Sequence, residues 1–185
     1  LAKQGWTDVV LLERKQFSCG TTWHAAGLVG TMRANDSHAR LCEYSMGVLN
    51  ELEQETGQST GFKQVGSITI AHSVARFEEL KRVASMNNAF GVTQVDMITP
   101  AEIKALYPVG ETDDLLGVSW VAQDGTASPV DVTSAFVKGA RQRGVKCLEG
   151  IKVTAINQAN GRVTGVMTDQ GEIRADFVVN CAGLW

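Results

Sequence analysis

The sequence of 185 residues has little or none of several features that define whole classes of protein. Its four cysteines form no CxxC pair, which argues against a disulfide-stapled fold or a zinc site and favours small buried thiols in a reducing compartment. No apolar run approaches the roughly 20 residues of a transmembrane helix, and the first residues lack the apolar stretch of a signal peptide. With 17 basic against 20 acidic side chains, there is no basic excess for binding nucleic acid or a membrane surface. We therefore expect a globular protein of the cytoplasm, or of the mitochondrial matrix in a eukaryote.

Apolar periodicity predicts alternating strands and helices, as in the α/β class. The run "DVVLLE" (Asp8–Glu13) is short and apolar, as expected for a strand that is buried on both faces. Apolar side chains at three- and four-residue steps predict a helix from Ser37 to Gly57. The same criteria predict a strand over Gly66–Ala71, a helix over Val74–Ala89, a capped helix over Thr99–Leu106 and a helix from Ser128 to about Arg143.

Strands joined by tight turns characterise the C-terminal part of the sequence. Asn160–Gly161 is a strong signal for a type I′ hairpin, and a second turn is predicted at Gln170–Gly171. The apolar run Phe177–Val179 predicts a further buried strand, which leads to the glycine-bearing segment Asn180–Gly183. Because α/β sheets hold ligands at turns that follow buried strands, this segment is a candidate for ligand binding.

The first residues indicate part of a dinucleotide-binding unit. "LAKQG" is typical of the last turn of a helix that ends at Gly5, so we expect the preceding strand and most of that helix to lie upstream of Leu1. Glu13 ends the predicted first strand, where an acidic side chain can accept hydrogen bonds from a ribose hydroxyl. The matching GxGxxG turn is expected roughly 20 residues before Glu13. An exposed glutamate at the end of any strand is the alternative interpretation.

The loop "GTTWHAAGL" (Gly20–Leu28) combines small residues, two hydroxyls and one imidazole. Glycine and alanine allow the backbone to approach a flat ligand closely, and Thr21 and Thr22 can donate hydrogen bonds. A neutral His24 could act as a nucleophile or an acceptor. The alternative from the residues alone is a histidine that is hydrogen-bonded to the backbone of a buried turn.

The longer segment "LLERKQFSCGTTWHAAGL" resembles the flavin-attachment segment of dimethylglycine and sarcosine dehydrogenases, which belong to the D-amino-acid-oxidase-like family of FAD-dependent amine oxidoreductases. The resemblance extends over essentially the whole chain. It implies that His24 is joined covalently to the 8α-methyl carbon of the flavin, and that Glu13 and Arg14 lie at the adenosine ribose. It also implies that the other cofactor-binding residues are Gly20, Thr21, Thr22, Trp23, Ala25, Ala26, Gly27 and Leu28 of the loop, Val153 of the "VTAI" strand at adenine, and Trp185 of "VVNCAGLW".

The activity implied by the resemblance is oxidative demethylation of an N-methylated glycine, dimethylglycine or sarcosine, with hydride transfer from the N-methyl carbon to FAD. The resemblance leaves two further points open: water or tetrahydrofolate, the latter bound by a region outside this chain, captures the oxidised product, and oxygen or an electron-transfer flavoprotein reoxidises the flavin. We expect no metal site, and no general base is evident in the sequence. Two alternatives remain: an amine or amino-acid oxidoreductase with non-covalent FAD, and a non-catalytic protein that keeps a nucleotide-binding scaffold.

The resemblance also implies a division into domains. Residues 1–60 and 126–185 are expected to form parts of a Rossmann-like FAD-binding domain, without its GxGxxG unit and truncated at the C-terminus. Residues 61–125 are expected to form part of a substrate domain that is built on an antiparallel sheet.

Overall fold

A computed structural model of the protein describes residues 1–183, and it confirms the predicted α/β class. Trp185, one of the predicted cofactor-binding residues, lies outside the described residues. The helices are α1 (Asp36–Thr56), α2 (Val74–Phe90), α3 (Pro100–Leu106) and α4 (Pro129–Gln142), and single 3-10 turns occupy Ala2–Gln4 and Thr22–His24. The strands are β1 (Val10–Leu12), β2 (Leu28–Val29), β3 (Ser67–Ala71), β4 (Asp96–Ile98), β5 (Gly117–Val121), β6 (Gly125–Thr126), β7 (Lys146–Leu148), β8 (Val153–Ala159), β9 (Arg162–Thr168) and β10 (Gly171–Arg174).

The chain divides into two compact units. The first unit contains Leu1–His24 and the residues from Phe136 onward, and the second unit contains Ala25–Ala135. These bounds differ from the predicted domain bounds at residues 60 and 125. The assignment of residues 1–60 and 126–185 to an FAD-binding domain, and of 61–125 to a substrate domain, stays a prediction.

In the first unit, β1 pairs in parallel with β7, while β8, β9 and β10 form an antiparallel meander. The hairpin between β8 and β9 turns at Asn160 and Gly161, whose φ angles of 51° and 74° are those that a type I′ turn requires. The predicted hairpin is therefore confirmed. The second turn comes one residue earlier than predicted, because Gly171 already belongs to β10.

Two predictions about buried strands are wrong in the first unit. The side chain of Leu11 in β1 is 41% exposed, since β7 is the one neighbour of β1 among the described residues. Phe177–Val179 forms no strand, and the side chains of Phe177 and Val179 are 70% and 68% exposed. An apolar run becomes a strand only where another strand offers its backbone groups, and none does so here within residues 1–183.

The second unit is built on the antiparallel sheet β3–β5–β4. Alternate residues of β5 face opposite sides of this sheet. Val121 packs with Ala84 of α2, and Val118 packs with Ile103 of α3. Helices therefore cover both faces.

Side-chain hydrogen bonds cap the first turns of α3 and α1. Thr99 and Glu102 form the expected capping box at α3, and Asn35 caps α1 by accepting the amide hydrogen of His38. No helix among the described residues is sufficiently long and apolar to span a bilayer. The expectation that the cysteines are buried is wrong for Cys19 and Cys181, which are exposed.

Candidate functional site

Glu13 lies immediately beyond β1, at the carboxyl end of a parallel pair of strands. Its amide donates to the carbonyl of Leu148 at 2.9 Å, and its carbonyl accepts from Ile151 at 3.0 Å. The carboxylate Oε1 accepts from the backbone amide of Lys15 at 2.8 Å. The backbone of Glu13 is thus held on both sides, and Arg14 beside it is exposed. This edge of a parallel sheet is where α/β proteins bind nucleotides.

The first half of the loop, Gly20–His24, belongs to the first unit. Thr22–His24 forms a 3-10 turn, and the amide of His24 donates to the carbonyl of Thr21 at 3.2 Å. The imidazole of His24 is stacked on the indole of Trp23, with ring centroids 3.9 Å apart and planes inclined by 34°. Trp23 is 61% exposed, His24 is also exposed, and the imidazole forms no hydrogen bond to any residue that the structure describes. The alternative of a histidine bonded within a buried turn is therefore wrong.

The second half of the loop, Ala25–Leu28, belongs to the second unit. Gly27 has a left-handed φ of +76°, and a Cβ atom there would lie 2.1 Å from the carbonyl oxygen of Ala127. The amide of Ala127 donates to the carbonyl of Gly27 at 2.8 Å. A glycine is thus required at position 27 by a close approach of the chain to itself. Leu28 follows in β2, which pairs with β6, and its side chain is 80% exposed.

A buried carboxylate, which was not identified from the sequence, lies just beyond this second half of the loop. Asp124 is 1% exposed, and its Oδ1 accepts from both the amide and the hydroxyl of Thr31, at 2.9 and 2.6 Å. Its Oδ2 accepts from the hydroxyl of Ser67 at 2.6 Å. "DG" at Asp124–Gly125 indicates a turn, and nothing in that local signal identifies partners that lie 57 and 93 residues away in the sequence.

Val153 is the remaining predicted cofactor-binding residue that the structure describes, and it lies two residues beyond Ile151, whose amide donates to the carbonyl of Glu13. Val153 opens β8, and its side chain is 42% exposed. His72 lies 3.0 Å from Asp114 in an exposed pair, and His38 contacts the Asn35 cap. Within residues 1–183, no group of three or more potential metal ligands comes together.

The comparisons with known proteins decide the family. A family model described as "FAD dependent oxidoreductase" matches residues 1–185, the whole chain. The chain belongs to this family of FAD-dependent oxidoreductases. The predicted resemblance is therefore confirmed, and FAD is the cofactor of the family.

Two curated relatives match this chain along its whole length. Human mitochondrial sarcosine dehydrogenase is 41% identical over 191 residues, which cover 100% of this chain and 21% of that protein. The mitochondrial pyruvate dehydrogenase phosphatase regulatory subunit of Mus musculus is 37% identical over 185 residues, again 100% of this chain and 21% of that protein. The chain thus spans about a fifth of the length of these relatives. Among solved structures, L-proline dehydrogenase from P. horikoshii has a TM-score of 0.92 and 28% identity, covering 98% of this chain and 47% of that one.

The described residues fit the cofactor of the family in each unit taken separately. In the first unit, Glu13 offers a carboxylate at the end of a parallel strand, and Trp23 and His24 leave ring surface exposed. In the second unit, the apolar side chain of Leu28 is left uncovered beside a tightly packed backbone. Large exposed apolar groups next to a rigid backbone suit a flat, largely apolar ring system.

Proposed function

We propose that the protein that carries this chain uses FAD to oxidise an N-methylated glycine, sarcosine or dimethylglycine, at its N-methyl carbon. One observation carries this proposal: the identity of 41% with sarcosine dehydrogenase extends over all of the chain. When bound, the flavin supplies the hydride acceptor, so the protein has to hold the donor carbon close to the ring and exclude competing reactions.

His24 is the residue that we assign to covalent attachment of the flavin. Its imidazole is exposed and has no hydrogen-bond partner among the described residues, so a ring nitrogen is available for a bond to the 8α-methyl carbon. Stacking on Trp23 at 3.9 Å restricts the orientation of the ring. Attachment at His24 prevents loss of the cofactor, and His24 has no part in proton transfer.

The other cofactor contacts that we propose divide between side chains and backbone. Glu13 accepts hydrogen bonds from the adenosine ribose with the carboxylate oxygen that Lys15 does not use, and Arg14 lies beside it. The backbone from Gly20 to Leu28 lines the ring system, and Val153 and Trp185 complete the set. Tetrahydrofolate as acceptor of the one-carbon unit, an electron-transfer flavoprotein as electron acceptor, and a mitochondrial location rest on the resemblance to the named relatives.

A denaturation experiment on the full-length protein tests the attachment. His24→Ala is compared with wild type and with His38→Ala, a matched control because His38 is also exposed but lies in α1. We expect flavin fluorescence to stay with the denatured polypeptide in wild type and in His38→Ala, and to be lost from it in His24→Ala. Release of all flavin from denatured wild type would show a non-covalent cofactor, and a colourless native protein would exclude the proposed oxidoreductase.

A non-catalytic role is the second candidate, and one observation favours it. A relative that is 37% identical over the whole chain is named as a regulatory subunit of a phosphatase. The two candidates differ in their response to substrate. Sarcosine or dimethylglycine bleaches the visible flavin absorbance of an N-methylglycine dehydrogenase under anaerobic conditions, whereas a regulatory protein shows no bleaching with either amine.

A further inference from the structure

The segment that follows β2 is held in place by side chains in the absence of regular secondary structure. Gly30–Asn35 contains no helix or strand, so its backbone groups lack the partners that a helix or sheet provides. We call its central part, Thr31–Arg33, the anchor segment. Thr31 is completely buried, and buried amides require a partner because an unpaired one is costly. In the anchor segment, buried polar side chains from elsewhere in the second unit are those partners.

Asp124 is the hydrogen-bond acceptor for the first residue of the anchor segment, Thr31. Its carboxylate accepts two hydrogen bonds from Thr31 and one from Ser67, and all three donors are neutral groups. Gln123 adds a bond from its Nε2 to the hydroxyl of Thr31 at 3.3 Å. A carboxylate that is 99% buried is tolerated because its oxygens accept these bonds.

Asn87 is the hydrogen-bond partner of the last residue of the anchor segment, Arg33. The side chain of Asn87 is completely buried on α2. Its Oδ1 accepts from the amide of Arg33 at 3.1 Å, and its Nδ2 donates to the carbonyl of Arg33 at 2.7 Å. Nδ2 also donates to the carbonyl of Val83 at 2.8 Å, so the amide is tied to its own helix as well.

The position of β2 depends on the Asp124 contact, because β2 is very short. Leu28 and Val29 pair with Thr126 and Gly125 of β6, and a ladder of two residues is marginal by itself. Asp124 directly precedes β6 in the chain and binds Thr31 just beyond β2, while Ala127 binds Gly27 just before β2. The short ladder is therefore fixed at both ends, and the Asp124 side chain supplies one of the two attachments.

We propose that Asp124 is a positioning residue of the flavin site: through Thr31 it fixes the backbone of Ala25–Leu28. This inference rests on the proposed function, in which that backbone lines the ring system. Asp124 acts through another residue and touches no cofactor or substrate in the proposal. Its removal is expected to free the loop backbone, while the sheet β3–β5–β4, which has its own ladder, persists.

Three substitutions in the full-length protein test the proposal. Asp124→Ala removes all three acceptor bonds. Asp124→Asn keeps an oxygen for Thr31 and offers an NH₂ group to the hydroxyl of Ser67, which can turn to accept it. Ser67→Ala is the matched control, because it removes a bond to the same carboxylate and leaves both bonds to Thr31.

Two readouts separate positioning from general stability. We expect Asp124→Ala to raise the hydrogen-exchange rate of the Thr31 amide at least about tenfold, the factor for a loss of about 1.4 kcal/mol. We expect the flavin bound per folded polypeptide to fall, and the visible flavin spectrum of the remaining holoprotein to shift toward that of free flavin. Asp124→Asn should restore both readouts, and Ser67→Ala should leave both at the wild-type level.

The outcomes distinguish this inference from the proposed function. If wild type contains flavin and Asp124→Ala has the same flavin content and spectrum, only the positioning role is overturned. Wild type without flavin overturns the proposed function, and the positioning role falls with it. If Asp124→Ala does not fold, Thr31→Val serves in its place: it removes the two bonds of the hydroxyl, to Asp124 and from Gln123, keeps the amide bond to Asp124, and is expected to give a smaller spectral shift. The inference is then contradicted if Thr31→Val leaves the flavin spectrum unchanged and Asp124→Asn does not fold either.

Discussion

Replacement of Gly27 by alanine should destabilise the second unit by two distinct effects. The residue has a φ of +76°, and a left-handed conformation costs a residue with a side chain about 1–2 kcal/mol. The new Cβ would also lie 2.1 Å from the carbonyl oxygen of Ala127 and 3.4 Å from Cδ of Pro129. The nearest atom belongs to the backbone, so no rotamer change relieves the contact.

The size of the destabilisation by Gly27→Ala follows from how far the two backbones have to separate. The two backbones must separate by about 1.3 Å to bring this 2.1 Å contact to an ordinary van der Waals distance of about 3.4 Å, which disrupts the 2.8 Å bond from Ala127 to Gly27. Loss of such a bond costs about 0.5–1.5 kcal/mol in addition to the conformational cost. We therefore expect Gly27→Ala to lower the free energy of unfolding of the second unit by about 3 kcal/mol.

Gly91→Ala is the matched control in the same unit. Gly91 ends α2 with a φ of +68°, and a Cβ there meets no atom within 4 Å. Only the conformational cost of about 1–2 kcal/mol then applies. Native-state hydrogen exchange of the β5 amides, such as that of Val118, measures the opening of this unit in the intact protein. We expect exchange to accelerate on the order of 100-fold in Gly27→Ala and only on the order of 10-fold in Gly91→Ala.

Equal acceleration in the two variants would refute the reasoning. It would mean that the approach of Gly27 to Ala127 contributes nothing and that the left-handed φ alone accounts for the effect. Gly20→Ala provides a further check, since Gly20 has a φ of +80° with nothing within 4 Å but belongs to the first unit. This variant should leave exchange of the β5 amides unchanged.

Three further predictions concern single side chains. Ser119 is 1% exposed, and within the described chain its hydroxyl has no hydrogen-bond partner. Ser119→Ala should therefore leave the free energy of unfolding unchanged or raise it by about 1 kcal/mol at most, as measured by exchange of the β5 amides. Hydrogen bonds from the backbone and side chain of Thr99 lower the pKa of Glu102 in the folded protein. This carboxylate therefore stabilises α3 fully above the ordinary glutamate pKa of about 4.3, and the stabilisation is lost as the pH falls through the lower pKa of the folded protein. Amide exchange in α3 should show this loss in wild type but not in Glu102→Gln. Burial raises the pKa of the Cys147 thiol, so iodoacetamide at neutral pH should alkylate the exposed Cys19 first, as peptide mapping can show.

Each of these predictions has a contrary result. A clear loss of stability in Ser119→Ala would mean that the hydroxyl has a partner in the folded protein. Acid-induced loosening of α3 that persists in Glu102→Gln would assign it to another group. Alkylation of Cys147 ahead of Cys19 would show that burial does not suppress its thiolate.

Signals confined to a few neighbouring residues were sufficient for much of the fold. The capping box of Thr99 and Glu102 and the hairpin at Asn160–Gly161 were both predicted, because each depends on hydrogen bonds or φ angles within one turn. The predicted burial of β1 was wrong, since burial depends on which elements cover a strand. Periodicity alone carries no information about that cover.

The same contrast between local signals and long-range contacts applies to the candidate site. Resemblance of the segment Leu11–Leu28 was sufficient to predict the family and FAD, because a cofactor-binding loop is a contiguous stretch of sequence. The domain bounds and the role of each cofactor-binding residue stay predictions. The dipeptide Asp124–Gly125 by itself indicates only a turn, and the contacts of Asp124 with Thr31 and Ser67 are visible only in the folded chain.

The sequence by itself determined the helices, the tight turns and the family, because those properties depend on residues that are close together in the chain. Only the tertiary structure decided that Gly27 must be glycine on account of Ala127, and that a buried Asp124 secures the backbone beyond β2. Both of these depend on atoms that lie about a hundred residues apart in sequence and meet only when the second unit folds, so no local pattern of residue types can encode them.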